Sequence, residues 1–337
     1  MSIGDCIARL DAGSKSFGSQ RDLIGRLAER AGLLSPPPQV RAVDAVTLEV
    51  RRGEVLGLVG ESGCGKSTLG RMISGITALS GGRLLWGGRD TAMLARRDWR
   101  AAKLRMQMIF QNPFASLDPR ITVERIVGEA PRVHGLIAAS GLDEASYVGR
   151  YLDYAGLPAH LRNRYPHELS GGQRQRVGIA RALAVQPDLL VCDESVAALD
   201  VSIQAQIINL FMDLRHELGL TYLFISHDLG LVEHISDRVA IMYLGRIVEQ
   251  GSVDQIFRAP QHPYTQALLS EIPRLDPARR RFTALTGELP SPLNPPAGCH
   301  FNPRCPRAFD RCATISPPLL RTDDEHEVAC HLIEGRL

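Results

Sequence analysis

The chain has 337 residues, with 39 Lys and Arg against 37 Asp and Glu, so its net charge is only +2. That balance gives no bulk electrostatic case for nucleic acid or an acidic membrane surface, and the length suits a large core and roughly two domains. No apolar run approaches the roughly 18 residues of a membrane span. The opening Met1-Ser2-Ile3-Gly4-Asp5-Cys6 also lacks a basic-then-apolar secretory pattern. A cytosolic protein is expected, whose membrane role comes through a partner. Its seven cysteines then point to metal or thiol chemistry rather than a disulfide framework.

In chain order, residues 1–19 are a weak, mixed stretch. Leu23, Leu27, Ala31 and Leu34 recur at helical spacing among Arg and Glu, predicting a short amphipathic helix that ends at Pro36-Pro37-Pro38. Val40, Val43, Val46, Leu48 and Val50 read as a strand with a turn at Arg52-Gly53. A strand from Val55 to Val59 and a helix holding Leu69, Met72 and Ile73 follow, then a strand from Arg83 to Trp86. Met106 to Phe110 is strand-like and ends at Gln111, and residues 121–165 read mostly as helices. A helix from Arg174 to Val185, a strand ending at Asp193-Glu194 and an amphipathic helix over 201–218 come next. Further strands are predicted over 221–225, 238–243 and 246–250, while prolines thicken and periodicity fades from about residue 260. Strand–helix alternation implies a mostly parallel sheet with helices on its faces.

The stretch Gly60-Glu61-Ser62-Gly63-Cys64-Gly65-Lys66-Ser67-Thr68 lies between a strand and a helix and fits a phosphate-binding P-loop. Its glycines let backbone N–H groups turn inward onto phosphate oxygens, and the helix adds its positive end. Lys66 is expected at the β/γ-phosphates and the Ser67 hydroxyl on Mg²⁺. Asp193 closes an apolar strand, as does the acid that holds Mg²⁺ in P-loop enzymes, and Glu194 is placed to polarise an attacking water. Ser170-Gly171-Gly172-Gln173 opens a second helix and forms a second anion-binding end. One triphosphate does not need two such ends. The economical reading is a head-to-tail dimer in which this loop closes over nucleotide held by another P-loop.

With these motifs in order, the chain resembles the nucleotide-binding subunit of ATP-binding-cassette (ABC) transporters. The Walker A loop (Gly60 to Thr68), the glutamine at Gln111 and the signature Leu169 to Gln173 all match. So do Walker B (Leu189 to Asp193), Glu194, the D-loop ending at Asp200 and the switch His227. The resemblance implies a P-loop NTPase fold of mixed α/β type with a helical subdomain at about 112–185. It also implies MgATP as ligand, with Gln111 sensing Mg²⁺ and the membrane partner and His227 contacting the γ-phosphate. Ser170 and Gly172 would bind ATP held by the other subunit. Two departures bear on coupling across such a dimer: Ser195 stands where proline is usual and Ala197 where serine is usual. The adenine-stacking aromatic before the first cassette strand is missing, and Phe17 is the candidate substitute.

His262-Pro263-Tyr264-Thr265-Gln266-Ala267-Leu268-Leu269, Gly287-Glu288-Leu289-Pro290-Ser291-Pro292 and the cysteines from Cys299 to Cys330 resemble the C-terminal extension of dipeptide/oligopeptide importer ATPases, nearest their F-type subunit. The expected organisation is an N-terminal segment 1–39, a cassette 40–258 and an extension 259–337. The implied partners are a paralogous ATPase, two transmembrane permease subunits and an extracytoplasmic substrate-binding protein, at the cytoplasmic face of the inner membrane. Glutathione, nickel chelates or haem are alternative cargoes, and a soluble cassette acting on nucleic acid or ribosomes is an alternative class. The four thiolates of Cys299, Cys305, Cys312 and Cys330 suit [4Fe–4S] or tetrahedral Zn²⁺, though their spacing is not the tight C-x2-C of a zinc ribbon. The resemblance favours the cluster over zinc or no metal.

Overall fold

A computed structural model describes residues 6–18, 39–197, 199–271, 287–323 and 325–334. The helix expected over 20–34 lies outside these residues. Residues 6–18, which the sequence left unassigned, form a strand, β1 (Cys6–Gly18). It pairs antiparallel with β2 (Gln39–Arg51), placing Leu10 opposite Leu48 and Phe17 opposite Val40. With β4 (Gly81–Trp86) and β5 (Arg89–Asp90) they make an antiparallel sheet in the order β2-β1-β4-β5. Partners far apart in sequence hide this sheet from a local reading, and shifts of register in β1 blur its alternation.

The main sheet has eight strands in the order β11-β12-β10-β9-β3-β8-β7-β6. Its parallel centre is β3 (Val55–Val59), β6 (Met106–Ile109), β7 (Leu189–Asp193), β8 (Thr221–Ser226) and β9 (Arg238–Tyr243). β3, β7, β8 and β9 are buried at every residue, as sheets covered on both faces require. One face packs on the antiparallel sheet through Leu10, Val46, Leu58, Leu69 and Met242. The other packs on helices through Leu190, Tyr222, Ile179 and Phe211.

The principal helices are α1 (Lys66–Ile73), α2 (Arg96–Arg105), α3 (Val123–Val133), α4 (Glu144–Tyr154), α5 (Gly171–Leu183) and α6 (Val201–Leu218). α7 (Leu229–Ile235), α8 (Val253–Arg258) and α9 (Pro263–Ser270) follow. α3, α4 and α5 pack together around Val127, Tyr147 and Val177 in the run expected to be helical. The C-terminal residues are more ordered than their prolines suggested. β10 (Arg246–Ser252) pairs with β12 (His326–Val328), which pairs with β11 (Leu320–Asp323), so the extension continues the main sheet. Buried Glu249 on β10 accepts from the backbone N–H groups of Gln261 and His262 and lies 2.8 Å from His326 Nε2. One strand carboxylate thus holds both the start of α9 and β12.

Candidate functional site

The loop between β3 and α1 turns through Gly63 at φ 79° and Gly65 at φ 111°, in the left-handed region that favours glycine. A Cβ on Gly65 would lie 2.1 Å from the Ala42 carbonyl oxygen, and one on Gly60 would lie 2.1 Å from that of Met242. The backbone is therefore packed too closely for any side chain at either position. Lys66 is buried, and its Nζ donates to the Gly60 and Glu61 carbonyls at 2.7 and 3.0 Å, which fixes where the ammonium sits. Ser67 Oγ donates to Asp193 Oδ1 over 2.7 Å. Burial pushes the Asp193 carboxyl above its ordinary range, opposed by the Ser67 hydrogen bond. Two oxygen ligands, one on a buried acid, suit a hard cation such as Mg²⁺.

Gln111 Nε2 donates to Glu194 Oε2 over 2.7 Å, and His227 Nδ1 lies 3.4 Å from Glu194 Oε1. Glu194 takes φ 45°, with its N–H donating to Ile225 on β8. The ends of β6, β7 and β8 thus bring Gln111, Glu194 and His227 to one carboxylate beside the loop. A cavity of about 240 Å³ is lined by residues 62–68, Gln111 and Glu194. Arg41, Leu244 and Gly245, which no sequence motif had marked, also line it, as does Pro292 of the C-terminal extension. Phe17 is not among the lining residues and carries the Lys15 ammonium 5.2 Å from its ring centroid.

Ser170, Gly171, Gly172 and Gln173 do not line this cavity. Ser170 Oγ accepts from Gln173 N–H and Gln173 Oε1 accepts from Ser170 N–H, a reciprocal cap on α5. A Cβ on Gly172 would stand 2.9 Å from Ile203 Cγ2. The signature therefore abuts the start of α6, where Asp200 is the N-cap residue.

The four C-terminal cysteines gather in one lobe. Cys299 N–H donates to the Cys312 carbonyl, and charge on Cys299, Cys305 and Cys312 acts on Cys330. Burial, reinforced by those neighbours, pushes the Cys330 thiol up to about 11. Yet among the described residues no three His, Cys, Asp or Glu side chains form a group that could hold a metal ion. The described residues therefore do not present the ligand set expected for a [4Fe–4S] cluster.

A phosphate loop after β3, a buried acid on β7 bonded to its serine, and a second carboxylate met by Gln111 and His227 define a P-loop ATPase of the cassette class. Comparisons with known proteins agree. A family model described as "ABC transporter" matches residues 43–197, and one described as "Oligopeptide/dipeptide transporter, C-terminal region" matches residues 248–312. The chain is 48% identical over 306 residues to the dipeptide transport ATP-binding protein DppF of Haemophilus influenzae, covering 90% of this chain and 93% of that one. It is 49% identical over 298 residues to the oligopeptide transport ATP-binding protein OppF of Salmonella typhimurium, covering 88% and 89%. Among solved structures, a dimeric post-hydrolysis state of the ATP-binding cassette MJ0796 bound to ADP and Pi is similar at TM-score 0.61 and 25% identity, over 73% of this chain and 98% of that one. The chain belongs to the ABC transporter family, as an ATP-binding subunit carrying the oligopeptide/dipeptide-type C-terminal region.

Proposed function

We propose that this chain is the ATP-hydrolysing subunit of an importer for dipeptides or oligopeptides, working at the cytoplasmic face of the inner membrane. Its partners are two permease subunits, an extracytoplasmic substrate-binding protein and a paralogous ATPase as the second cassette. Residues 60–68 cradle the phosphates, Lys66 neutralises them, and Ser67 and Asp193 hold Mg²⁺. Glu194 takes the proton of the attacking water, with Gln111 and His227 orienting it, and Asp200 lies at the seam with the second cassette. Ser170, Gly171, Gly172 and Gln173 close over nucleotide held by the partner. The convergence of Gln111 and His227 on Glu194 beside the loop carries the reading. The peptide assignment is supported by the C-terminal family match and by what the relatives are named for.

The test is to purify the complex in detergent through a tag on this chain and identify what accompanies it. ATP turnover in lipid vesicles is then followed as the binding protein is loaded with dipeptide, oligopeptide, glutathione, nickel chelate or haem. Stimulation by peptide alone is expected. Stimulation by another cargo, or recovery with no permease, overturns the proposal. The four cysteines are proposed as ligands of one metal group, with a [4Fe–4S] cluster preferred over zinc; iron, sulfide and zinc analysis of the same material decides between them.

A further inference from the structure

Glu61, the second residue of the phosphate loop, has every hydrogen-bonding group committed, and the C-terminal extension supplies two of the partners. Its carboxylate accepts from Arg304 Nη1 at 2.9 and 3.1 Å. Its N–H donates to the Tyr264 hydroxyl over 3.1 Å. Its carbonyl accepts from Lys66 Nζ over 3.0 Å. Arg304, Glu61 and Lys66 therefore form one continuous chain of contacts, running from the extension to the ammonium in the phosphate loop.

These partners are built to hold still. The Arg304 side chain is only 6% exposed, and its Nη1 also lies 3.4 Å from the Tyr243 hydroxyl. Tyr264 and Phe301 are buried, and the rings of Tyr243, Tyr264 and Phe301 contact one another at centroid distances of 4.7 to 5.4 Å. A second tie runs beside the first. His300 Nδ1 lies 2.9 Å from the Leu244 carbonyl, which can only accept, so Nδ1 carries the proton. The next residue, Gly245, donates its N–H to the Cys64 carbonyl in the loop over 2.8 Å. His300, Phe301 and Arg304 all lie between Cys299 and Cys305, so both ties start in the cysteine lobe.

We infer that Arg304 and Tyr264 are positioning residues for nucleotide binding, through which the C-terminal extension sets the geometry of the phosphate loop. The chemistry is direct. A loop that receives a triphosphate carries a carboxylate at Glu61, and an unpaired acid there would repel the ligand. Arg304 neutralises that acid and fixes its direction, and Tyr264 fixes the backbone behind it. Truncating one partner of a desolvated charge pair also leaves the other charge uncompensated, so the loop would move rather than keep its shape.

The inference rests on reading this loop as the ATP site. It is tested on the full chain by equilibrium binding of ATP, with thermal melts to confirm folding. Arg304→Ala is expected to weaken ATP binding about tenfold, the scale of one lost charge-assisted hydrogen bond. Arg304→Lys, which keeps the charge, is expected to recover most of that loss. Combining Glu61→Ala with Arg304→Ala should weaken binding no further than Arg304→Ala alone, because the two residues act as one unit. In the reconstituted complex the defect should fall on KM with kcat largely kept, whereas simple loss of folded protein would lower kcat alone. Should Arg304→Ala fail to fold, Tyr264→Phe removes one hydroxyl and is expected to weaken binding about threefold. Wild-type affinity in the folded variants, or fully additive losses with Glu61→Ala, overturns the inference. A wild-type chain that bound no ATP would instead overturn the reading of the loop itself.

Discussion

Gln111 and Glu194 stand just beyond the ends of neighbouring parallel strands, and the Gln111 amide donates to the Glu194 carboxylate over 2.7 Å. The same carboxylate lies 3.4 Å from His227 Nδ1, at the end of the next strand. Glu194 sits at φ 45°, a conformation that costs an L-residue about 1 kcal/mol or more. It is retained because β7 is buried on both sides and the Glu194 N–H bonds to Ile225. Strand order thus does what no single motif does, bringing three residues from distant parts of the chain to one acid.

That arrangement predicts the outcome of Glu194→Gln. The new amide still offers a carbonyl oxygen to Gln111, so the fold and ATP affinity should be kept. Removing the base should lower hydrolysis about 10²–10⁴-fold. Turnover and ATP binding measured on the same preparation check this, and hydrolysis near the wild-type rate would remove Glu194 from the role. Lys66→Ala should instead weaken ATP binding itself, because it deletes the ammonium proposed to neutralise the phosphates, which also donates to the Gly60 and Glu61 carbonyls.

Ser170→Ala separates the two ends of the proposed dimer. Ser170 caps α5, so its loss should cost about 1 kcal/mol in a denaturant titration. It does not line the cavity beside Lys66, so ATP affinity of the isolated chain should be unchanged. Hydrolysis by the assembled complex should nevertheless drop more than about tenfold, beyond what a cap alone explains. An isolated chain that hydrolysed ATP at full rate with alanine at 170 would contradict a site shared between two cassettes.

Local signals made the cassette legible. β3 and α6 fall where hydrophobic period and flanking glycines put them, because each is an apolar run or an amphipathic stripe within one segment. The P-loop, Asp193, Glu194 and the signature are likewise short spacings. What could not be read is what the topology assembles. β1 is a strand only because Leu10 meets Leu48 across a gap in sequence. Arg41 and Pro292 reach the cavity from β2 and from the extension. Arg304 reaches Glu61 across 243 positions, a distance no periodicity spans. The prolines after residue 260 hid β11 and β12, whose order comes from pairing with β10 rather than from their own residues.

The cysteine lobe and the phosphate loop should respond together. Replacing Cys299 and Cys305 with serine loosens the segment that carries His300, Phe301 and Arg304. ATP affinity should then fall several-fold, towards the roughly tenfold loss expected for Arg304→Ala. If the lobe holds an iron–sulfur cluster, the same substitutions abolish any visible absorption of the purified protein. Serine variants that bind ATP as the wild type does would show that the lobe and loop are independent.

Acid should loosen the extension through His262. This ring is buried, and burial lowers its pKa to about 4, only partly offset by the nearby Glu249 carboxylate. In the unfolded chain the ring titrates near its ordinary value of about 6.5, so as pH falls the unfolded state takes up the proton first. Stability is therefore fully present above pH 6.5, declines between about 6.5 and 4, and levels off below 4, a loss of at most ~3 kcal/mol. His262 Nδ1 also accepts from Tyr264 N–H as the cap of α9, a role that an asparagine side chain can take over. His262→Asn should accordingly leave the melting temperature at pH 7.5 within a few degrees of wild type while flattening its fall between pH 6.5 and 4. A wild-type slope retained in full by the asparagine variant would assign the acid sensitivity to other groups.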